Sequence, residues 1–324
     1  MLTLVTGGTG TVGAAVVRRL VDEGRAVRAL VRDPVRAGEL LPRGVELVTG
    51  DVTDEGSVRR AMAGCDRVFH TAGLPEQWLP DERVFDQVNA RGSESVAEAG
   101  LEVGVESFVY TSTIDVFAWV RGQPFDEGEL ASAAKGSAYE RSKQAADRAV
   151  VAAAARGLPV RFVHPSAVYG PAPVVNPGLN DVLRRLATGR IPMLLPGGIP
   201  VVYVDDVARG HLLAERAPAG ERFILHESFA TLTELARLAV NGAGHGRVPP
   251  VLPIAVARAV CALGEGMARI TRRPPLIASG ELQFLLEDVH PIADKARRRL
   301  GWSPTPVAEG VERTIAWLRE RDLA

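Results

Sequence analysis

Along the first half of the chain, two rhythms of apolar residues alternate. Short β-branched runs occur at 2–6, 26–31, 45–48, 67–71, 107–112 and 160–163, and between them lie segments of helical length such as 12–23. Strand-length runs separated by amphipathic helices predict βαβ units on a doubly wound parallel sheet. Gly24 stands where the first helix should stop, and Gly157 followed by Pro159 ends another. After Gly170 the texture changes: Pro171, Pro173, Pro177, Pro192, Pro196 and Pro200 crowd one stretch, which predicts irregular backbone on the substrate side. The runs 201–204 and 223–225 again read as strands returning to the first domain. The expected division is a nucleotide-binding domain over 1–170 with returning strands near 201–226. A smaller, mostly helical substrate domain is expected over 171–200 and 227–324.

Composition narrows the class without choosing it. The chain has 324 residues, 46% hydrophobic and 24% charged, with a formal charge of −1. That balance argues against a basic groove for nucleic acid. Two cysteines, Cys65 and Cys261, are too few for a disulfide framework and lack metal-ligand spacing, so no metal is expected. The start carries no charged leader followed by a long apolar stretch, so a cytoplasmic location is expected. The most apolar later stretch, 251–270, is broken by Arg258, Glu265 and Arg269, which predicts an amphipathic helix or helix pair rather than a membrane span.

The first strand runs into Thr6-Gly7-Gly8-Thr9-Gly10-Thr11-Val12-Gly13 and then into a helix. Glycines at 7, 10 and 13 permit a tight turn, bring backbone N–H groups close to a pyrophosphate and let helix pack on strand, as a Rossmann-type dinucleotide site requires. An NAD-preferring site usually ends its second strand with an acid that binds the ribose. Here the strand ends at Val31 and Arg32 follows, whose guanidinium suits a 2′-phosphate. NADP(H) is therefore the expected cofactor, with NAD(H) kept open by the neighbouring Asp33. Asp51 and Val52 follow the third strand, where an adenine would lie.

Tyr139 and Lys143 stand four residues apart, on one face of a helix. A phenol titrates near 10 and a nearby ammonium favours its phenolate, which suits proton exchange with a substrate hydroxyl. Together with His70-Thr71-Ala72-Gly73, Asn89, Tyr110-Thr111-Ser112-Thr113, His164-Pro165-Ser166, Val168-Tyr169-Gly170-Pro171 and Tyr203-Val204-Asp205-Asp206-Val207, these residues resemble the extended short-chain dehydrogenase/reductase superfamily over nearly the whole chain. The resemblance implies that Tyr139 is the acid/base, that Thr113 orients the substrate oxygen, and that Lys143 binds the nicotinamide ribose and tunes the tyrosine. It also implies cofactor contacts from Thr71, Ala72, Gly73 and Asn89, and from His164, Pro165 and Ser166. His164 departs from the commoner arginine or asparagine, and a packed core histidine is an equal reading. The helices near 84–101 and 139–156 resemble those that pair in homodimers.

Dehydratases of the superfamily follow their catalytic threonine with Asp-Glu, whereas here Thr113 is followed by Ile114-Asp115. Sugar-nucleotide enzymes tend to hold a phosphate with an arginine just before the Tyr-Val-Asp-Asp strand; this chain has Gly197-Gly198-Ile199-Pro200-Val201-Val202. Leu194-Leu195, Val174-Val175 and the segment 248–253 point the same way, although each is compatible with core packing. The expected reaction is hydride transfer between nicotinamide and a secondary alcohol or ketone of a largely apolar small molecule, as in the 3β-hydroxysteroid dehydrogenase-like and dihydroflavonol reductase-like groups. The alternative is a sugar or sugar-nucleotide epimerase. A non-catalytic NADP-sensing regulator, which usually lacks the tyrosine, is disfavoured.

Overall fold

A computed structural model describes residues 1–75, 79–174, 178–271 and 279–323. Its twelve strands are β1 (Leu2–Thr6), β2 (Ala26–Val31), β3 (Glu46–Thr49), β4 (Arg67–His70), β5 (Ser107–Thr111), β6 (Pro124–Phe125), β7 (Val160–Pro165), β8 (Ala167–Tyr169), β9 (Gly198–Tyr203), β10 (Arg222–Leu225), β11 (Ser228–Thr231) and β12 (His290–Pro291). Seven of them form one sheet in the order β10-β7-β5-β4-β1-β2-β3, every pair parallel. This is the doubly wound Rossmann-type sheet that the alternation predicts.

The helices in chain order are α1 (Thr11–Asp22), α2 (Pro34–Leu40), α3 (Glu55–Met62), α4 (Arg83–Phe85), α5 (Gly92–Val103), α6 (Ala138–Ala155), α7 (Leu179–Ala187), α8 (Val204–Glu215), α9 (Leu232–Ala243), α10 (Ile254–Thr271), α11 (Ser279–Leu286), α12 (Asp294–Leu300) and α13 (Val307–Arg319). One apolar layer joins Val16, Val17 and Leu20 of α1 to Val207 and Leu212 of α8. Another joins Met62 of α3, Val96 of α5 and Val150 of α6. Burying each such side chain stabilises the fold by about 1.5–3 kcal/mol relative to exposure. A third core gathers Leu183 of α7, Leu235 of α9 and Ile315 of α13 into a second, mostly helical lobe. Asp206 of α8 anchors the segment that leads to α13: its carboxylate accepts from Thr305 N at 2.6 Å and its carbonyl from Trp302 Nε1 at 2.8 Å.

Of the two runs expected to return to the large sheet, only the second does so. Arg222–Leu225 pairs with β7 and so covers that strand's free flank. Gly198–Tyr203 instead joins β8 and β11 in a separate three-stranded sheet, order β11-β9-β8. Of the apolar runs that pointed to an apolar substrate, Leu194, Val201 and Val202 take the core-packing alternative and are buried side chains. Val175 and Pro177 lie outside the described residues. The stretch around 251–270 forms α10, whose buried Ala257 and Cys261 pack against Leu282 of α11. Among the described residues no helix is long and apolar enough to cross a membrane.

Candidate active site

The C-terminal ends of β1, β4, β5 and β7 share one edge of the sheet, and the strand order reverses between β1 and β4. In such sheets the ligand crevice opens at that reversal. Gly7 takes a φ of 73°, and a Cβ there would stand 2.6 Å from the Ala72 backbone. A Cβ on Gly13 would stand 2.2 Å from the Gly7 carbonyl oxygen, so no other residue fits this crossing of helix and strand without backbone movement. Gly10 is the N-cap of α1, with no side-chain cap and no acidic residue in the first turn. A Cβ on Gly10 would meet only the Gly7 carbonyl, at 3.3 Å. The N–H groups of Thr11 and Val12 thus open a helix whose positive end is left to an anion, and the cradle fits a pyrophosphate. Thr9 and Thr11 are half-buried at its rim.

Beside the cradle, Asp33 Oδ1 caps α2, accepting from Val35 N and Arg36 N at 3.0 Å each. Arg32 is exposed and has no hydrogen-bond or ion-pair partner among the described residues. Asp51 Oδ1 is taken by Thr53, whose N and Oγ1 both donate at 2.9 Å. Val52 is buried under the turn that leads into α5, where a Cβ on Gly92 would come within 2.8 Å of it. The Thr71 hydroxyl donates to Thr6 O at 2.7 Å, which locks the 71–73 loop over the cradle. Asn89 sits in a π-helical turn, Asp86–Arg91, a form that often marks functional sites. Its amide is already committed: Oδ1 accepts from Leu74 N at 2.7 Å and Nδ2 donates to Ser142 Oγ at 2.9 Å. Asn89 therefore clips the loop after β4 to the helix that carries Tyr139.

That helix, α6, starts with a reciprocal capping box between Ser137 and Glu140, which fixes the backbone around Tyr139. Tyr139 is half-buried, with its ring edge-on to Phe85 at 6.4 Å between centroids. One turn on, Lys143 is buried and donates from Nζ to Thr111 O at 3.1 Å. Burial lowers its pKa to about 8, against the opposing pull of Asp147 and Asp115. Thr113 is buried just past β5, and its hydroxyl donates to Asp115 Oδ2 at 2.9 Å.

His164 is wholly buried, bonded to Thr113 O through Nδ1 at 3.1 Å and to Arg222 Nη1 through Nε2 at 3.2 Å. A guanidinium only donates, so Nε2 accepts and Nδ1–H donates to the Thr113 carbonyl. Burial is the leading cause that holds this imidazole neutral, with a pKa of about 3. Arg222 in turn forks onto Asp147, Nη1 to Oδ1 at 3.0 Å and Nη2 to Oδ2 at 2.8 Å, and Ser112 Oγ donates to the same carboxylate at 3.0 Å. Burial alone would raise the Asp147 pKa, but the Arg222 and Ser112 bonds leave it below the usual carboxylate range. His164 thus braces Thr113 from behind. Pro165 ends β7 and Ser166 follows it, both buried, with Ser166 N donating to Leu225 O at 3.1 Å.

The sequence alone does not reveal this brace. Asp147 is visible there only as a third residue at spacing four after Tyr139 and Lys143, and Arg222, arriving from β10, carries no local signal. Asp115 reads in the sequence as the wrong residue for a dehydratase, yet it holds the Thr113 hydroxyl.

The model of the NAD dependent epimerase/dehydratase family matches residues 3–225. Sterol demethylase protein B of Methylococcus capsulatus is 29% identical across the whole of both chains. A putative dihydroflavonol 4-reductase of Synechocystis is 30% identical over 97% of this chain and 94% of its own. Among solved structures, gox2253 superposes with a TM-score of 0.84 at 32% identity, covering 99% of this chain and 98% of its own. UDP-glucose 4-epimerase of Thermotoga maritima, with a TM-score of 0.81, 24% identity and 99% of both chains covered, shares the fold.

Proposed function

The chain belongs to the NAD dependent epimerase/dehydratase family, and from that premise we propose that it interconverts a secondary alcohol and a ketone on a largely apolar small molecule. The observation that carries this reading is the placement of Tyr139, Lys143 and Thr113 on α6 and at the end of β5, beside a glycine cradle with a free helix start. A nicotinamide dinucleotide held there would supply or accept the hydride. Gly7, Gly10 and Gly13 would hold its pyrophosphate, while Asp51, Val52 and the 71–73 loop would flank the rest.

In the reductive direction the Tyr139 hydroxyl delivers a proton to the substrate oxygen. The buried ammonium of Lys143, charged below about pH 8, favours the phenolate left behind. Thr113 meets the substrate oxygen through its hydroxyl, and the brace of His164, Arg222 and Asp147 keeps that threonine in place. The relatives named for sterol and dihydroflavonol chemistry favour an apolar substrate. Wild-type protein should consume reduced nicotinamide stoichiometrically with hydrophobic ketones and leave sugar nucleotides unchanged. Epimerisation of a sugar nucleotide without net cofactor consumption, and no apolar carbonyl turned over, would replace this reading with the epimerase one.

NADP(H) is the proposed cofactor. Asp33, the acid that could have bound a ribose, has one carboxylate oxygen committed to capping α2, while Arg32 is exposed and unpaired among the described residues. One charge-assisted bond to a 2′-phosphate contributes about 1.5–3 kcal/mol, so Arg32→Ala should weaken NADPH binding by roughly ten- to a hundredfold and barely change NADH. Calorimetry with both cofactors checks this, and equal losses would sink it. A homodimer through the outer faces of α5 and α6 and a cytoplasmic location belong to the same proposal; sedimentation of the wild-type chain decides the first.

A further inference from the structure

We infer that Asp115 is a positioning residue that sets the polarity of the Thr113 hydroxyl, and thereby which member of an alcohol/ketone pair the site holds better. This rests on the proposed reading that Thr113 meets the reacting oxygen.

A hydroxyl has one hydrogen to give and two lone pairs to receive. The Thr113 hydrogen goes to Asp115 Oδ2 at 2.9 Å, and one lone pair takes Asp115 N–H at 3.3 Å. One lone pair is left, so Thr113 faces the site as an acceptor, matched to the O–H of an alcohol and mismatched to a ketone. A proton taken up from solvent on Asp115 Oδ2 reverses the bond. The carboxyl then donates to Thr113 Oγ1, both lone pairs are filled, and the threonine hydrogen is released. Thr113 becomes a donor, matched to a ketone oxygen.

The surroundings make that proton accessible. Asp115 is buried, and its Oδ1 has no hydrogen-bond partner among the described residues, so the ionised form is poorly compensated. Burial is the main cause that lifts its pKa to about 6. Glu140 on α6 and Glu287 after α11 push the same way, while the Thr113 bond and Lys135, from the loop before α6, oppose them. Lys143 on α6 also lies within electrostatic reach. Neighbouring Ile114, Val116 and Phe117 are all buried, so its own turn adds to the desolvation that disfavours the ionised carboxylate.

The test follows kcat/KM in both directions from pH 5 to 9. Ketone reduction should carry a limb near pH 6, weakening about five- to tenfold above it through KM, the value of one hydrogen bond. Alcohol oxidation should show the opposite limb. Asp115→Asn cannot change charge, so both limbs should vanish while the higher-pH limb that belongs to Lys143 persists; a limb near pH 6 that survives the substitution overturns the inference. Infrared titration of labelled aspartate reads the coupling without turnover. Thr113→Val removes a bond that favours the carboxylate, so the Asp115 pKa should rise. An unshifted titration shows that the two groups are uncoupled and also overturns the inference, whereas a wild type that turns over no alcohol or ketone brings down the proposed function instead.

Discussion

Tyr139→Phe should lower kcat for ketone reduction by about 10² to 10⁴, the usual contribution of a positioned proton donor. The substitution is clean because the ring's surroundings survive it. A phenyl ring at this position would keep the edge-on contact with Phe85 and would leave intact the box between Ser137 and Glu140 that starts α6. Asn89 still clips Leu74 to Ser142 through its amide, so the loop over the cradle stays in register. Cofactor affinity should fall far less than kcat, since the ring and its contact with Phe85 remain. Lys143→Met should differ in kind: it removes a buried cation that donates to Thr111 O at 3.1 Å, so cofactor binding and the pH profile should both suffer. Steady-state kinetics beside calorimetry separate the two. A Tyr139→Phe enzyme that retains more than a tenth of its activity would show that another group delivers the proton.

The parts of this site legible in the sequence are those set by local chain geometry. Glycines at 7, 10 and 13 announce a turn that only glycine permits, and the structure gives the reason: the 2.2 Å approach of a Gly13 Cβ to the Gly7 carbonyl. Tyr139 and Lys143 are legible because a helix puts residues four apart on one face. The strand order follows from right-handed crossovers once the alternation of strands and helices is recognised. What stays hidden depends on residues far apart in sequence. Arg222 reaches Asp147 across 75 positions and His164 across 58. No window of the chain shows that pairing, so His164 reads equally as a cofactor contact or as core. The run 201–202 does not reveal whether it faces a substrate or a core, because both environments select the same side chains. Pairing with β8 and β11 puts it in the core.

Acid lability follows from the same burial that makes the site. His70 and His164 have pKa values of about 3, and His211 and His226 of about 4, with burial the largest cause in each. Because these folded values lie below the ordinary value of about 6.5, the unfolded chain binds protons that the folded chain refuses. Stability is therefore full above about pH 6.5 and falls as the pH drops toward about 4. Each group contributes a slope of at most about 1.4 kcal/mol per pH unit in that window, and all four act in the same direction. Asp115 has the opposite sign. Its pKa, raised to about 6, favours the folded state as protons bind between about pH 6 and 4, which offsets part of the histidine slope. Asp147 and Glu215 are held below the usual carboxylate range and add their own loss only at lower pH. Against a total stability of about 5–15 kcal/mol, the fold should fail within a few pH units of neutrality. Urea unfolding at pH 7.5, 6 and 5 measures the slope. His226→Asn is the informative variant, since Nδ1 of His226 is buried with no hydrogen-bond partner among the described residues. It should flatten the dependence by about 1.4 kcal/mol per pH unit, and a wild-type stability that is level from pH 7 to 5 would show that these imidazoles protonate in the folded chain.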